Sequence, residues 1–277
     1  MSYSAYVVCN CYKDGKTIEP PHKEYLRFDE EGLYLDIPSE IWAKDIEKVH
    51  QMDEDFNEWE RTACEHEEMK LADEYLSNIL GMMAFRYLVQ ELIGKDKLPI
   101  LAQYLPTANG GILPSEFAQQ ALDELFLLEK EQTAEEKVML IEKSTGKLKT
   151  SVNSETYRFF VFTAYNRNTY GLDKDGFFIL ENVNKNGEEL SYIVFRSNNF
   201  IQRTISKKYY KFIDIPSGKS YVCSVKLYSN EEEVPADYEF EVQIKPVEIA
   251  KEYGYIIEPL KRLAKASIIS GNPIHWT

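Results

Sequence analysis

The pattern of apolar residues changes character near Lys143, and that change most constrains what the chain can fold into. Ahead of it, apolar side chains recur three and four residues apart, as at Phe56, Trp59 and Ala63 and again at Phe117, Ala121, Leu122, Leu125 and Leu128. That period places them on one face of a helix. Beyond Ser144-Thr145-Gly146-Lys147 the apolar residues gather into short runs at 157–165, 177–180, 190–195, 209–213, 221–228 and 238–244. Turn-forming segments separate them, at Asp173-Lys174-Asp175-Gly176, Asn184-Lys185-Asn186-Gly187 and Pro216-Ser217-Gly218-Lys219. Short strands at this spacing make an antiparallel sheet or barrel. The expectation is an α+β protein. An acidic module over 1–143 carries a strand layer and a helical bundle, and a β-rich antiparallel module over 150–277 ends in a short helix near 259–266.

Within the first module, residues 3–12 are rich in Tyr and Val and read as a strand. Residues 25–28 and 33–35, joined by Asp29-Glu30-Glu31-Gly32, read as a hairpin. A helix is expected from Asp53, and a longer one over 69–93, stopped by Gly94. Its stripe is Ala72, Tyr75, Leu76, Ile79, Met83 and Tyr87, and its centre (Ile79-Leu80-Gly81-Met82-Met83-Ala84-Phe85) is apolar nearly all round, which predicts burial. Pro99 and Pro114 each open a further helix, and Asn109-Gly110-Gly111 reads as a plain turn, with a ligand-carrying loop as the alternative.

Charge divides the chain at the same place. Residues 1–150 hold 30 acidic and 16 basic side chains, which is the whole of the net −14, and residues 151–277 hold 16 of each. Such a surface repels nucleic acid and anionic membranes over its first half and attracts cationic partners; the alternative is that it is simply a solubilising face. The segment 53–74 has ten carboxylates against Arg61 and Lys70, with Glu65, Glu67 and Glu68 the candidate partner-binding residues. Residues 196–211 carry Arg196, Arg203, Lys207, Lys208 and Lys211 among Phe200, Tyr209 and Tyr210, without one acidic residue. Basic and aromatic residues interleaved in this way suit single-stranded nucleic acid, but the overall acidity favours a contact with the acidic segment instead. No apolar run is long enough to span a membrane, and no secretory leader is read at the N-terminus. Four cysteines in 277 residues are too few for a disulfide framework, which points to a reducing cytoplasm.

Three of those cysteines and one histidine form two close pairs: Cys9 with Cys11, and Cys64 with His66. Three thiols and an imidazole are a ligand set for zinc. In a strand, Cys9 and Cys11 would share a face with Cα atoms ~6.6 Å apart, awkward for a disulfide but open to a common metal. A spacing of two turns side chains ~200° apart on a helix, so Cys64 and His66 can meet one ion only at a helix end or in a loop. The four would then tie the first strand to the helical layer. The alternative is that they are small buried thiols of the core. A nucleophilic Cys64 with His66 as base is a third reading, although catalytic partners usually come from separate segments. No phosphate-cradling Gly-rich loop, serine-nucleophile elbow, zinc-protease helix or complete calcium loop is present.

The pattern Cys9-Asn10-Cys11-Tyr12, Pro20-Pro21, Phe56-x-x-Trp59, Ala63-Cys64-Glu65-His66, Ser77-Asn78-Ile79 and Phe85-Arg86 resembles a family of bacterial proteins without an assigned activity, over about the first 110 residues. The resemblance implies that the Cys/His set belongs together and implies no chemistry. The expected function is a cytoplasmic protein-binding protein that leans away from catalysis. One version is an immunity-type inhibitor whose acidic face neutralises a basic toxin, with zinc as a structural cofactor. The alternative is a metal- or thiol-dependent enzyme using the Cys/His cluster.

Overall fold

The structure is a computed structural model that describes residues 2–29, 32–131, 135–154, 159–162, 168–185, 188–227 and 237–277. It has the expected mixed α+β class, with antiparallel sheets throughout its described strands. Two compact units form, Met1–Glu131 with Ile249–Thr277, and Gln132–Glu248. The chain opens with β1 (Ser2–Val8), the pair β2 (Leu26–Asp29) and β3 (Gly32–Leu35), and helices α1 (Ser39–Lys44) and α2 (Ile46–Thr62). Then come β4 (Lys70–Asn78), α3 (Ile79–Tyr87), a π-helical turn (Leu88–Gly94), α4 (Pro99–Tyr104), β5 (Ile112–Leu113) and α5 (Ala118–Leu128). The second unit has strands and no helix among its described residues: β6 (Glu136–Glu142), β7 (Lys147–Asn153), β8 (Phe159–Phe162), β9 (Asn168–Asp173), β10 (Gly176–Lys185), β11 (Glu188–Ser197), β12 (Asn199–Thr204), β13 (Tyr210–Asp214), β14 (Ser220–Cys223) and β15 (Asp237–Pro246). The first unit closes with α6 (Ile249–Glu252), α7 (Gly254–Ser270) and β16 (Ile274–Trp276).

In the first unit the sheet order is β4-β1-β16-β5. Along β1, Tyr3, Ala5 and Val7 are buried while their neighbours are not, so one face of the sheet carries the core. Helix α7 packs on β4, β1 and β16 and supplies Ile256, Ile257, Leu260 and Leu263 to the interior. It ends at Gly271, whose φ of 72° closes the helix in a left-handed turn and releases β16 to pair with β1, Ala5 opposite Trp276. The C-terminal helix therefore belongs with the N-terminal segment and not with the β-rich module. The second unit begins before β6, ahead of the expected junction at 143–150.

The expected helix over 69–93 is the largest departure. Residues 70–78 are instead the strand β4, which pairs along β1 from Ser2 opposite Asn78 to Val8 opposite Lys70. Two features prevent a helix from running through. Glu68 and Met69 both take positive φ (50° and 51°), and without β4 one edge of β1 would leave its backbone groups unpaired. Tertiary pairing here outweighs a helical apolar period. The helix starts only at Ile79, where the Asn78 Oδ1 accepts from the Gly81 N–H at 2.8 Å. Nor is α3 wholly buried: Leu80 and Met83 are 59% and 58% exposed. Helix α2 starts earlier than the expected Asp53, because Asp45 caps it through the Lys48 N–H at 3.0 Å.

In the second unit the strands form sheets ordered β11-β10-β9-β8 and β14-β13-β12-β15-β6-β7. The core holds Phe177, Phe195, Phe200, Phe212 and Phe240, with Phe177 stacked on Phe200 at 4.6 Å and Phe200 on Phe240 at 5.3 Å. The expected runs at 177–180, 190–195, 209–213 and 238–244 fall in β10, β11, β13 and β15. Residues 155–158, 163–167, 186–187 and 228–236, which include parts of two expected runs and of one expected turn, lie outside the described residues. Two of the five basic side chains of 196–211 pair with carboxylates of this unit and not with the acidic segment 53–74: Arg196 with Asp173 through two bonds, and Arg203 with Asp237. Among the described residues no helix is long and apolar enough to cross a membrane.

Candidate metal centre

The site is built where three elements end. Strand β1 stops at Val8, so Cys9 and Cys11 lie just past it and not within a strand, as the sequence reading had them. The chain then turns tightly, with the Asp14 N–H donating to the Asn10 carbonyl at 2.9 Å and the Lys16 N–H to the Cys11 carbonyl at 2.8 Å. Helix α2 stops at Thr62, and Cys64 and His66 follow in the bend beyond it. This is the helix-end position that their spacing required. The left-handed pair Glu68-Met69 carries the chain from that bend into β4. The Cys9 N–H donates to the Met69 carbonyl at 2.7 Å, locking the two cysteine-bearing segments together.

The side chains converge. The ligand atoms of Cys9, Cys11, Cys64 and His66 all lie within 4.8 Å of one another. Cys9 Sγ is 3.8 Å from Cys64 Sγ, Cys11 Sγ is 3.3 Å from His66 Nδ1, and Cys64 Sγ is 3.7 Å from that same nitrogen. A tetrahedron with zinc–sulfur bonds of ~2.3 Å and zinc–nitrogen bonds of ~2.0 Å has edges of ~3.8 Å between sulfurs and ~3.5 Å between sulfur and nitrogen. Three of the six separations lie close to those edges, the rest lie within 4.8 Å, and 3.8 Å is far beyond the ~2.05 Å of a disulfide. The four residues could hold a metal.

Around the thiols lies a small apolar shell. Leu26 of β2, Phe56 and Trp59 of α2, Ala63 and Met69 are buried with Cys9 and Cys11, and Cys64 and Tyr12 pack at its margin. Trp59 is fixed edge-on to Tyr12 at 6.4 Å and by its indole N–H, which donates to the Ile18 carbonyl at 3.1 Å. Burial, the largest influence, pushes the Cys9 thiol up to about 12 and also raises Cys11. A dication among the sulfurs would reverse that effect by binding the thiolates. Cys223, the fourth cysteine, is buried in the β-rich core and takes no part.

The sequence reading missed the second layer. Asn10, between the two ligand cysteines, donates to the Ser270 carbonyl at 2.6 Å and accepts from the Asn272 amide at 2.9 Å. Asn272 also donates to the Val8 carbonyl at 2.8 Å. The end of α7 thus holds the Cys9–Cys11 turn from behind. Nothing in the sequence could point to a partner 262 residues away. Glu65, Glu67 and Glu68, the candidate partner-binding residues, are exposed on the same bend as Cys64 and His66. Glu68 pairs with Lys70 at 2.6 Å, and Lys70 also reaches Asp73 at 2.8 Å. A cleft of about 640 Å3 in this unit is lined by Lys13, Phe28, Asp29, Ser115, Glu116 and Asn272 among others, and not by Cys64.

Compared with models of protein families, with curated proteins and with solved structures, the chain has no match. No family model stands behind the resemblance carried by the N-terminal pattern.

Proposed function

We propose that the chain is a zinc-stapled binding module for a cationic protein. Zinc held by Cys9, Cys11, Cys64 and His66 fixes the bend that presents Glu65, Glu67 and Glu68 to the partner. The observation that carries this reading is the match of the 3.3 to 3.8 Å separations to the edges of a zinc tetrahedron. Four protein ligands fill the coordination sphere and leave no position for a substrate, which favours a structural metal over the enzyme alternative. A reducing cytoplasm suits a centre made of three thiols. The acidic bend contributes rate and selectivity of association more than affinity, because facing opposite charges steer diffusional encounter. An immunity-type inhibitor of a basic toxin is one protein of this kind.

Elemental analysis of the full-length protein tests the first half: one zinc per chain is expected, and a chain that takes up none overturns the reading. Pull-downs at low and high salt test the second half. A cationic partner should be retained at low salt and lost at high salt. Reversal of Glu65, Glu67 and Glu68 to lysine should weaken retention while zinc content stays at one, because solvent-exposed ion pairs such as Glu68–Lys70 contribute little to stability. Equal retention after reversal removes the support for this surface.

A further inference from the structure

We propose that the centre is also an oxidation switch, in which Cys9 and Cys64 leave the metal as a disulfide. This rests on the zinc reading. The three sulfurs are not equivalent. Cys64 alone is half-buried, whereas Cys9 and Cys11 are buried, so a small oxidant meets Cys64 first. The sulfur that faces it at 3.8 Å is Cys9. Closing that gap to a bond of ~2.05 Å needs a movement of less than ~2 Å. Both sulfurs sit on irregular backbone, Cys64 in the bend after α2 and Cys9 just past β1, so neither is held apart by a helix or strand. Cys9 is anchored, its N–H held by the Met69 carbonyl at 2.7 Å. Cys11 faces the imidazole of His66 at 3.3 Å. Pairing Cys9 with Cys11 would instead close a ring across a single residue, whose Asn10 side chain is tied to Ser270 and Asn272.

The chemistry balances with a peroxide as oxidant. The Cys64 thiolate attacks one peroxide oxygen, the O–O bond breaks, and the departing hydroxide takes a proton to become water. The resulting sulfenic acid is attacked by the Cys9 thiolate: the S–S bond forms, the S–O bond breaks, and a second hydroxide leaves as water after protonation. Two sulfurs have given up one electron each, the peroxide has taken two, and zinc departs as an unchanged dication because only Cys11 and His66 remain to hold it. The new bond still joins the end of β1 to the end of α2, so the fold persists. What is lost is the hold on His66, and with it the fixed geometry of Glu65, Glu67 and Glu68. Thiol reductant and zinc restore the starting state.

The test treats the zinc-loaded full chain, carrying Cys223→Ser to remove the unrelated thiol, with hydrogen peroxide. A chromogenic chelator follows zinc, and peptide mapping by mass spectrometry follows the sulfurs. Zinc content before peroxide reports on the zinc reading alone. The switch predicts one zinc released per chain in step with a loss of two hydrogens, a single cross-link between the Cys9 and Cys64 peptides, near-native circular dichroism, and rebinding of zinc after reduction. Zinc that stays bound under peroxide, or leaves with sulfinic acid or a Cys9–Cys11 or Cys11–Cys64 link, overturns the switch and leaves the centre standing. A chain that binds no zinc overturns both.

Discussion

The thiol cluster of the first unit and the aromatic core of the second solve the same problem with different means. In the second unit, Phe177, Phe195, Phe200, Phe212 and Phe240 close on one another with ring centroids 4.6 to 6.4 Å apart. Each fully buried ring contributes ~1.5–3 kcal/mol, and nothing but side chains is needed to fill the space. Around Cys9 and Cys11 the buried set is smaller, with Leu26, Phe56, Trp59, Ala63 and Met69, and its centre is occupied by polarisable sulfur. Here three chain segments end without a sheet or helix continuing between them. A cluster of that size would hold such ends together more firmly with a bond-like link, which a metal on the four side chains would supply under the proposed reading. One region is stabilised by area; the other, on the zinc reading proposed above, would be stabilised by coordination.

Removing the metal should give the largest contrast. Structural zinc contributes on the order of 10 kcal/mol to the folding of small zinc-binding peptides. Chelation should therefore abolish hydrogen-exchange protection at the Cys9–Lys16 turn and at residues 63–69, and leave β10, β12 and β13 unchanged. Equal loss in both units would break the comparison. The pH dependence has a definite sign. In the metal-free chain burial pushes Cys9 up to about 12 and raises Cys11, so both thiols carry protons at neutral pH. Zinc must displace them, so affinity should rise with pH and fall on acidification, as zinc titrations between pH 6 and 8 would read.

The opposite experiment removes area. Phe200 is fully buried and stacks on both Phe177 and Phe240. Phe200→Ala should cost ~3–5 kcal/mol through lost transfer energy and the cavity left behind. The loss should appear in the protection of β12, β13 and β15 and should be indifferent to zinc. A Phe200→Ala protein whose stability recovered on adding zinc would show that the two regions are not separate solutions.

How far each solution could be read in advance differs for the same reason. The aromatic core was legible, because a strand buries alternate residues and announces itself locally: the runs holding Phe177, Phe195, Phe212 and Phe240 became strands. The ligand set was legible as chemistry, since Cys9, Cys11, Cys64 and His66 are few and paired, and the break after α2 followed from a spacing of two. The strand that carries Cys9 out of the sheet was drawn too long, because its end depends on the turn closed by Asn10 and Cys11 carbonyls. The return of α7 and β16 to the first unit was invisible, resting on pairs such as Ala5 with Trp276 that no local pattern records. Residues 70–78 misled because their apolar spacing suits a helix while their place beside β1 demands a strand. The local sign that was overlooked was Asn78, a residue type that begins helices, sitting inside the proposed one.

Asn78 also gives the smallest and most local test. Its Oδ1 accepts from the Gly81 N–H at 2.8 Å and satisfies one of the donors left free at the start of α3. Asn78→Ala keeps the strand pairing of β4, which uses backbone groups, and removes only that acceptor. The cost should be ~1 kcal/mol, and Asn78→Asp should restore most of it, because a carboxylate accepts the same bond and favours a helix N-terminus. Exchange at the first amides of α3 should quicken in the alanine protein, while zinc content and the protection of β12 and β13 stay as they were. A loss several times larger, or one accompanied by zinc release, would mean that the boundary between β4 and α3 bears on the metal bend at the far end of the strand. The coordination-held region would then extend along the whole of β4 instead of ending at Lys70.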